Sequence, residues 1–297
     1  MEPVLPNGYL KCVSAVVILC LACPALAVVL HPDANSPADR PDDSVVGRWA
    51  DNGTCVVIGS QYVLTTRHQG GGLGSMVQIG DANYYVDQVW TYDEPNRADL
   101  RIARLAGANL TDYAQINSNP GEASGLWQVV IGGYGKGRGA DLTDSNGVVF
   151  GYGWDSNAND ILRWGQNRLQ GSIDNSHDPI YDYYVDLVYD DFDKPGHFSG
   201  YDGEAALAEY DSGNGWFTQI DGNWHLVGLG YSVPHADTLS NWFDDPNTLS
   251  YDPEYNYAIR ISQYAGWING IIPEPATCAI LAAGAAVLFR RRSRPRK

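Results

Sequence analysis

An all-β body, as a sandwich, a barrel or a pair of barrels closed by one terminal helix, is predicted by three features of the 297-residue sequence. From Val45 onward short β-type runs follow one another: "CVVIG", "YVLTT", "MVQIG", "YYVDQVW", "DLRIARL", "WQVVIGGYG", "GVVFGYGW", "YYVDLVY" and "HLVGLGYS". Gly, Asn and Asp separate them, as expected of turns between strands. Helical periodicity is absent until "YAIRISQYAGWINGII", where Ile259, Ile261, Tyr264, Trp267, Ile268 and Ile271 fall close to helical spacing. Many short strands with one helix and no internal repeat fit a layered all-β architecture.

The two ends read as processing segments. Lys11, the apolar run Val13 to Cys23 and Pro24-Ala25-Leu26-Ala27 form a secretory signal over residues 1–27, cleaved after Ala27. The run is short for a membrane span, so a retained anchor is the weaker alternative. Residues 28–44, rich in Pro, Asp and Ser, read as an exposed leader segment, and residues 45–272 as the folded domain. At the other end stand Pro273-Glu274-Pro275, an apolar run from Ala276 to Phe289 and a basic cluster from Arg290. A short apolar run with a basic end suits transient membrane contact through residues 276–289. Residues 273–297 resemble the PEP-CTERM sorting signal of exported bacterial proteins. That resemblance implies an exosortase-type partner and a cell-surface or extracellular destination; an ordinary tail anchor is the alternative.

Charge narrows the partners. The chain carries a formal charge of -16; residues 1–27 balance Glu2 against Lys11, and residues 273–297 set Glu274 against six basic residues, which leaves a body at -21. So acidic a surface disfavours nucleic acid and anionic lipid and favours cationic partners, so no nucleic-acid partner is expected. The Asp-rich segments 32–43 and 186–193 read as solvated surface, since neither keeps the spacing of a calcium loop, with a calcium site as the weaker alternative. No cofactor or metal is expected. His177, His197, His225 and His235 lack metal-ligand spacing. Of five cysteines, Cys12, Cys20, Cys23 and Cys278 lie in the terminal segments. Cys55 is left alone within an apolar run and reads as a buried hydrophobe.

The chemistry lies in three pieces. "YVLTTRHQGG" puts His68 where a β-run gives way to a loop, "RADLRIARL" puts Asp99 at the head of a run, and "EYDSGNGWF" puts Ser212 in a glycine-flanked loop before a strand. His, Asp, Ser is one of the chain orders of the acyl-transfer triad. Ser212 needs His68 to take its proton, and His68 needs Asp99 to fix its tautomer. Asp93 and Asp87 compete with Asp99, but neither heads an apolar run.

Six blocks in order, "CVVIGSQYVLTTRHQ", "ADLRIARL", "VVIGGYG", "YDSGNGWF", "HLVGLGYS" and "YAIRISQYAGWI", resemble the chymotrypsin-like serine peptidases over about residues 45–272. The resemblance implies two six-stranded antiparallel β-barrels with a C-terminal α-helix, a catalytic triad of His68, Asp99 and Ser212, and a protein or peptide substrate. It implies an oxyanion hole made by the backbone N–H groups of Tyr210 and Ser212. It implies a substrate pocket reached by Ala206, where basic-specific relatives have Asp, and hence no Arg or Lys preference.

Departures from the pattern bear on activity. Tyr210 stands where the family has Gly, and a non-Gly residue at positive φ costs on the order of 1–3 kcal/mol. Either the loop takes another path, losing a donor worth about 10²- to 10³-fold in rate, or packing holds the strain. Gln69 replaces a half-cystine, and Asn214-Gly215 replaces Gly-Pro. Asp211, if buried, calls for a structural ion pair with Lys136 or Arg138. The expected function is thus an exported serine endopeptidase. A weak or inactive relative that binds peptide or glycan at the cell surface, using some of its nine tryptophans and many tyrosines, is the alternative.

Overall fold

The computed structural model describes residues 28–32, 36–50, 53–93, 95–155, 160–197, 204–233 and 236–273. The expected signal peptide, all but the first residue of the sorting segment, and His235 lie outside them. After a two-residue strand β1 (Val29–Leu30), the first barrel comprises β2 (Val46–Trp49), β3 (Gly53–Gly59), β4 (Tyr62–Thr65), β5 (Met76–Ile79), β6 (Ala82–Thr91) and β7 (Arg101–Leu105). They close antiparallel in the order β2-β3-β4-β7-β6-β5.

Strand β3 shows why the chain must close. All its residues are buried, because its two faces serve two cores. Cys55 and Val57 face Trp49, Val63, Val77, Val86 and Leu105 inside the barrel, whereas Val56 and Ile58 join a cluster shared with the second barrel. A strand covered on both sides reads as an unbroken apolar run. Cys55 is a free, buried thiol, and burial pushes its pKa up.

The chain continues through β8 (Gln115–Ile116), β9 (Gln128–Gly133), β10 (Arg138–Thr143), β11 (Val149–Trp154), β12 (Arg163–Arg168), β13 (Gly171–Asp178) and β14 (Tyr183–Asp191). Next come β15 (Ala205–Ala206), β16 (Gly215–Ile220), β17 (Asn223–Ser232), β18 (Ser240–Trp242), β19 (Tyr255–Arg260) and the helix α1 (Ile261–Ile271). Six strands in the order β12-β9-β16-β17-β19-β14 wall the second barrel; β13 extends β14, β8 runs parallel to β17, and β10-β11-β18 form a separate sheet. The all-β double barrel with a C-terminal helix is therefore present. Its second half differs from six closed strands in carrying two added strands and a seam.

That seam, between β12 and β14, is bridged by Asn167 Nδ2 donating to Asp191 O at 2.7 Å. Strands β15 and β1 lie beside it, pairing Val29 with Ala206 and Leu30 with Ala205. Gly165 makes the room: a Cβ there would stand 2.4 Å from Ala205 Cβ and 2.7 Å from Leu30 Cδ2. Val28 and Leu30 pack with Val129, Ile131, Val188, Trp216 and Val227 inside the second barrel.

The reading of residues 28–44 as an exposed leader is corrected at its start, where Val28 to His31 are buried. Three apolar residues precede the polar stretch, and the barrel offers them a cover. His31 follows them in, stacked on Phe192 at 4.6 Å, with Nε2 donating to Asp193 O and Nδ1 accepting from the Tyr152 hydroxyl. Burial lowers its pKa to about 4, so it is neutral. Trp164 Nε1 donates to Asp43 Oδ1 at 2.8 Å, and the Arg40 guanidinium lies over the same indole.

Helix α1 buries Ile261, Tyr264 and Ile268 against the shared core, and Ile259 belongs to β19 just before it. Arg260 at the junction pairs with the buried Glu122 at 3.0 Å.

Carboxyl groups buried near the second barrel carry a pH signature. Asp190 is fully buried with one amide donor, Asn256, and its pKa is raised well above the ordinary value, chiefly by burial. Burial likewise pushes Glu254 up to about 8, against hydrogen bonds from Asn241 and the Trp242 backbone. A carboxyl whose folded pKa lies above its unfolded one binds a proton that the unfolded chain releases. Its stabilisation is full below about pH 4.5 and is lost as pH rises towards 8. Glu254→Gln, which copies the protonated form, should match the parent's melting temperature at pH 5 and exceed it at pH 9. The gain should be on the order of 1–3 kcal/mol, read by thermal unfolding at both pH values.

Candidate active site

His68 and Asp99 belong to the first barrel and Ser212 to the second. Strand β4 ends at Thr65, and the chain turns out through Thr66 and Arg67 to His68, while Asp99 stands just before β7, the partner of β4. Asp99 is fully buried. Its Oδ1 accepts from the backbone N–H groups of Arg67 and His68 at 2.7 and 2.9 Å, and its Oδ2 lies 2.5 Å from His68 Nδ1. A carboxylate accepts, so Nδ1 carries the proton and the Nε2 lone pair faces the Ser212 hydroxyl 2.7 Å away. The three side chains named by the sequence thus form one relay. Asp93 is taken up by Arg67, and Asp87 by Arg104.

The Ser212 loop is held from the opposite barrel. Thr54 of β3 donates its backbone N–H to Ser212 O at 3.0 Å and its hydroxyl to Tyr210 O at 3.1 Å, while accepting from Tyr134 N. Gln69 Nε2 lies 2.7 Å from Ser212 O. Around these carbonyls, Asp211 N donates to Ala208 O and Gly213 N to Gly230 O. The N–H groups of Tyr210 and Ser212 alternate with these, and neither has a protein acceptor among the described residues. Tyr210 has φ of +76°. The residue is therefore in the left-handed conformation, and of the two outcomes open to the sequence, packing holds the strain. The means are the Thr54 bond to its carbonyl and the Lys136 ammonium 5.7 Å from its ring centroid.

Asp211 is buried, but the ion pair expected for a buried Asp211 is corrected. Lys136 bonds Glu209 at 2.6 Å, and Arg138 lies over Tyr152. Asp211 Oδ1 instead accepts from Gly135 N and Oδ2 from Ala208 N, both at 2.9 Å. The main chain can approach because Gly135 has no Cβ, which would stand 2.1 Å from Asp211 Oδ2. Burial pushes this carboxyl up to about 7 against those two bonds and the charge of Arg163.

A cavity of about 530 Å³ opens beside Ser212, with walls from Trp154, Leu207, Ala208, Ser232, Val233 and Leu239. Ala206 is not among them, and its assignment to the pocket is corrected. It is buried behind Val29 with Tyr152, Phe192 and Phe243, because β15 turns away to pair with β1. Two carboxyl groups border the cavity: Glu209 is bound by Lys136 and Asp211 by main-chain donors. The pocket suits a neutral side chain.

Other histidines take ordinary places. His177 pairs with Asp182 and stacks on Tyr184, and His197 lies against Tyr251. Among the described residues no group of three His, Cys, Asp or Glu is arranged to hold a metal, and no helix is long and apolar enough to cross a membrane. Sequence reasoning passed over Thr54 and Gln69 as site residues. Both hold the loop through its backbone, and only the lost half-cystine at Gln69 marked the place.

No family model and no curated protein matches the chain. Among solved structures it is similar to Rv3671c from M. tuberculosis H37Rv, a serine-to-alanine mutant in an inactive form. That match has 17% identity and a TM-score of 0.49, over 80% of this chain and 97% of that one. It is similar also to Rv3671c protease in an inactive form, at 17% identity and a TM-score of 0.48, over 79% of this chain and 98% of that one. The similarity is one of chain architecture, at a level that assigns neither residue nor activity to this protein.

Proposed function

We propose that the protein is an exported serine endopeptidase. The observation that carries this reading is the unbroken path from Asp99 Oδ2 through His68 to Ser212 Oγ, at 2.5 and 2.7 Å. Ser212 Oγ attacks the scissile carbonyl carbon while its proton passes to His68 Nε2. The carbonyl oxygen becomes an oxyanion, and the unshared N–H groups of Tyr210 and Ser212 are its donors. The imidazolium, steadied by Asp99, gives its proton to the departing amine and leaves an acyl-enzyme. Water then repeats the cycle on the ester, with His68 again the base. A terminal signal over residues 1–27 and a sorting tail over residues 273–297 would carry this activity to the cell surface, with an exosortase-type enzyme acting on the tail. The alternative, a weak or inactive relative that binds peptide or glycan at the cell surface, is motivated by Tyr210 and by Asn214-Gly215 in place of Gly-Pro; the left-handed φ of +76° at Tyr210 supports the peptidase reading over it.

A fluorophosphonate probe should label the parent protein once, and Ser212→Ala and His68→Ala should not be labelled. A folded parent left unlabelled would overturn the reading. Tyr210→Gly should be labelled within about tenfold of the parent rate. A gain of about 10²-fold or more would mean that Tyr210 had been obstructing a donor. In a panel of short peptides, a large apolar residue before the cleaved bond should be preferred about 10- to 100-fold over Arg or Asp. The ranking of kcat/KM values checks this, and preference for Arg would contradict the neutral pocket.

A further inference from the structure

The imidazole of His68 has two neighbours that the relay does not use. The Tyr181 ring lies along one face, 5.9 Å between centroids and 29° from parallel, and the Tyr231 ring meets it edge-on at 6.0 Å. The two tyrosines come from distant elements, the turn joining β13 to β14 and the end of β17. One carboxylate ties them together. Asp178 Oδ2 accepts from the Tyr231 hydroxyl at 2.7 Å, and Oδ1 accepts from the backbone N–H groups of Ile180 and Tyr181 at 2.8 and 3.3 Å. The turn is anchored at its other end too. Tyr184 N donates to Arg97 O, two residues before Asp99, and Tyr181 stacks on Tyr183, whose ring the guanidinium groups of Arg67 and Arg97 flank.

We propose that Asp178 is a positioning residue for the general base: it joins the β13–β14 turn to Tyr231, so that the two rings hold the His68 imidazole between Asp99 and Ser212. The inference rests on the peptidase reading above. While Ser212 is free, two polar partners orient the imidazole, and the two rings limit its excursions and the access of water to it. Once Ser212 Oγ is acylated, only the bond to Asp99 remains, and a part-exposed side chain on a loop can then swing about its first two torsions into solvent. Deacylation needs the ring in place to take a proton from water, and displacement by about 1 Å can cost on the order of 10²-fold. The aromatic walls close that route. Burial, and next the bond to Asp178, push the Tyr231 hydroxyl upward in pKa, so it stays a donor. Burial pushes the Asp178 carboxyl up, but its three hydrogen bonds and the nearby His68 outweigh this and leave it below its usual value.

The test compares the full chain with Asp178→Ala, Asp178→Asn and Tyr231→Phe. The first readout is the downfield proton resonance of the His68 to Asp99 hydrogen bond, which does not need turnover. It should be sharp in the parent and in Asp178→Asn, whose amide can still bond the turn and Tyr231. It should be broadened by exchange with water in Asp178→Ala and Tyr231→Phe. With a cleaved peptide, kcat should fall about 10- to 100-fold in the last two, with KM within about threefold. Parent-like resonance and rates in Asp178→Ala would overturn the proposal. So would a raised KM at unchanged kcat, which would make the tyrosines a substrate wall, or an Asp178→Asn as impaired as Asp178→Ala. If Asp178→Ala fails to fold, Tyr231→Phe, which removes a single hydroxyl, decides. A parent that is never labelled at Ser212 sinks the peptidase reading, while the resonance still reports whether Asp178 positions the ring.

Discussion

Ser212 and His68 sit on different barrels, so the 2.7 Å between them is a property of how the barrels are fixed together. Two kinds of contact do this. The shared core, in which Val56, Ile58, Leu64 and Leu100 of the first half meet Phe217, Leu226, Leu229 and Ile259 of the second, supplies most of the adhesion but little direction. Direction comes from Thr54, whose N–H and hydroxyl hold the carbonyls of Ser212 and Tyr210. With those carbonyls turned to the first barrel, the peptide planes between them have little freedom left. The two unshared N–H groups belong to residues that line the cavity, and the serine hydroxyl faces the imidazole. Tyr210 keeps its strained conformation for the same reason: relaxing it would break the Thr54 bond and move Ser212.

Asp211 shows how such a loop is braced without a buried ion pair. A carboxylate buried beside a cation at fixed distance must recover a large desolvation cost from one contact. Here the group is shared between two backbone donors on separate segments, Ala208 within the loop and Gly135 on the strand connection beside it. Its pKa, raised to about 7, records that the cost is only partly recovered. Glycine at 135 is a requirement of that arrangement, since any side chain would occupy the carboxylate's place.

What could be read in the sequence follows from where the information lay. His68, Asp99 and Ser212 each stand at a junction between an apolar run and a polar one, so side-chain chemistry and strand pattern marked them together. Strand β3 was legible because closure buries both of its faces. The added strands β8 and β13 were less so, being edge pieces with mixed exposure. Ala206 was misplaced because counting back from Ser212 assumes an undiverted chain, whereas β15 bends to meet β1. Val28 to Leu30 continue the hydrophobicity of the segment before them, and nothing local says that they belong to a barrel. Asp211's partners are backbone N–H groups, which every residue but proline has, so no letter of the sequence announces them. Tyr181, Tyr231 and Asp178 come together only through the added hairpin.

The pairing of β1 with β15 also orders events in time. Val29 needs Ala206 and Leu30 needs Ala205, and the cluster that covers them draws on strands as late as β19. A chain delivered from its N-terminus therefore exposes its first strand long before the partner exists. The second barrel cannot be sealed until almost the whole polypeptide has arrived. Contacts of this sequence separation make folding slow, because the intervening loop must be closed before they return any stability. The Ser212 loop waits on the same closure, since its backbone bonds reach back to Thr54 in the first barrel and forward to Gly230 in the second.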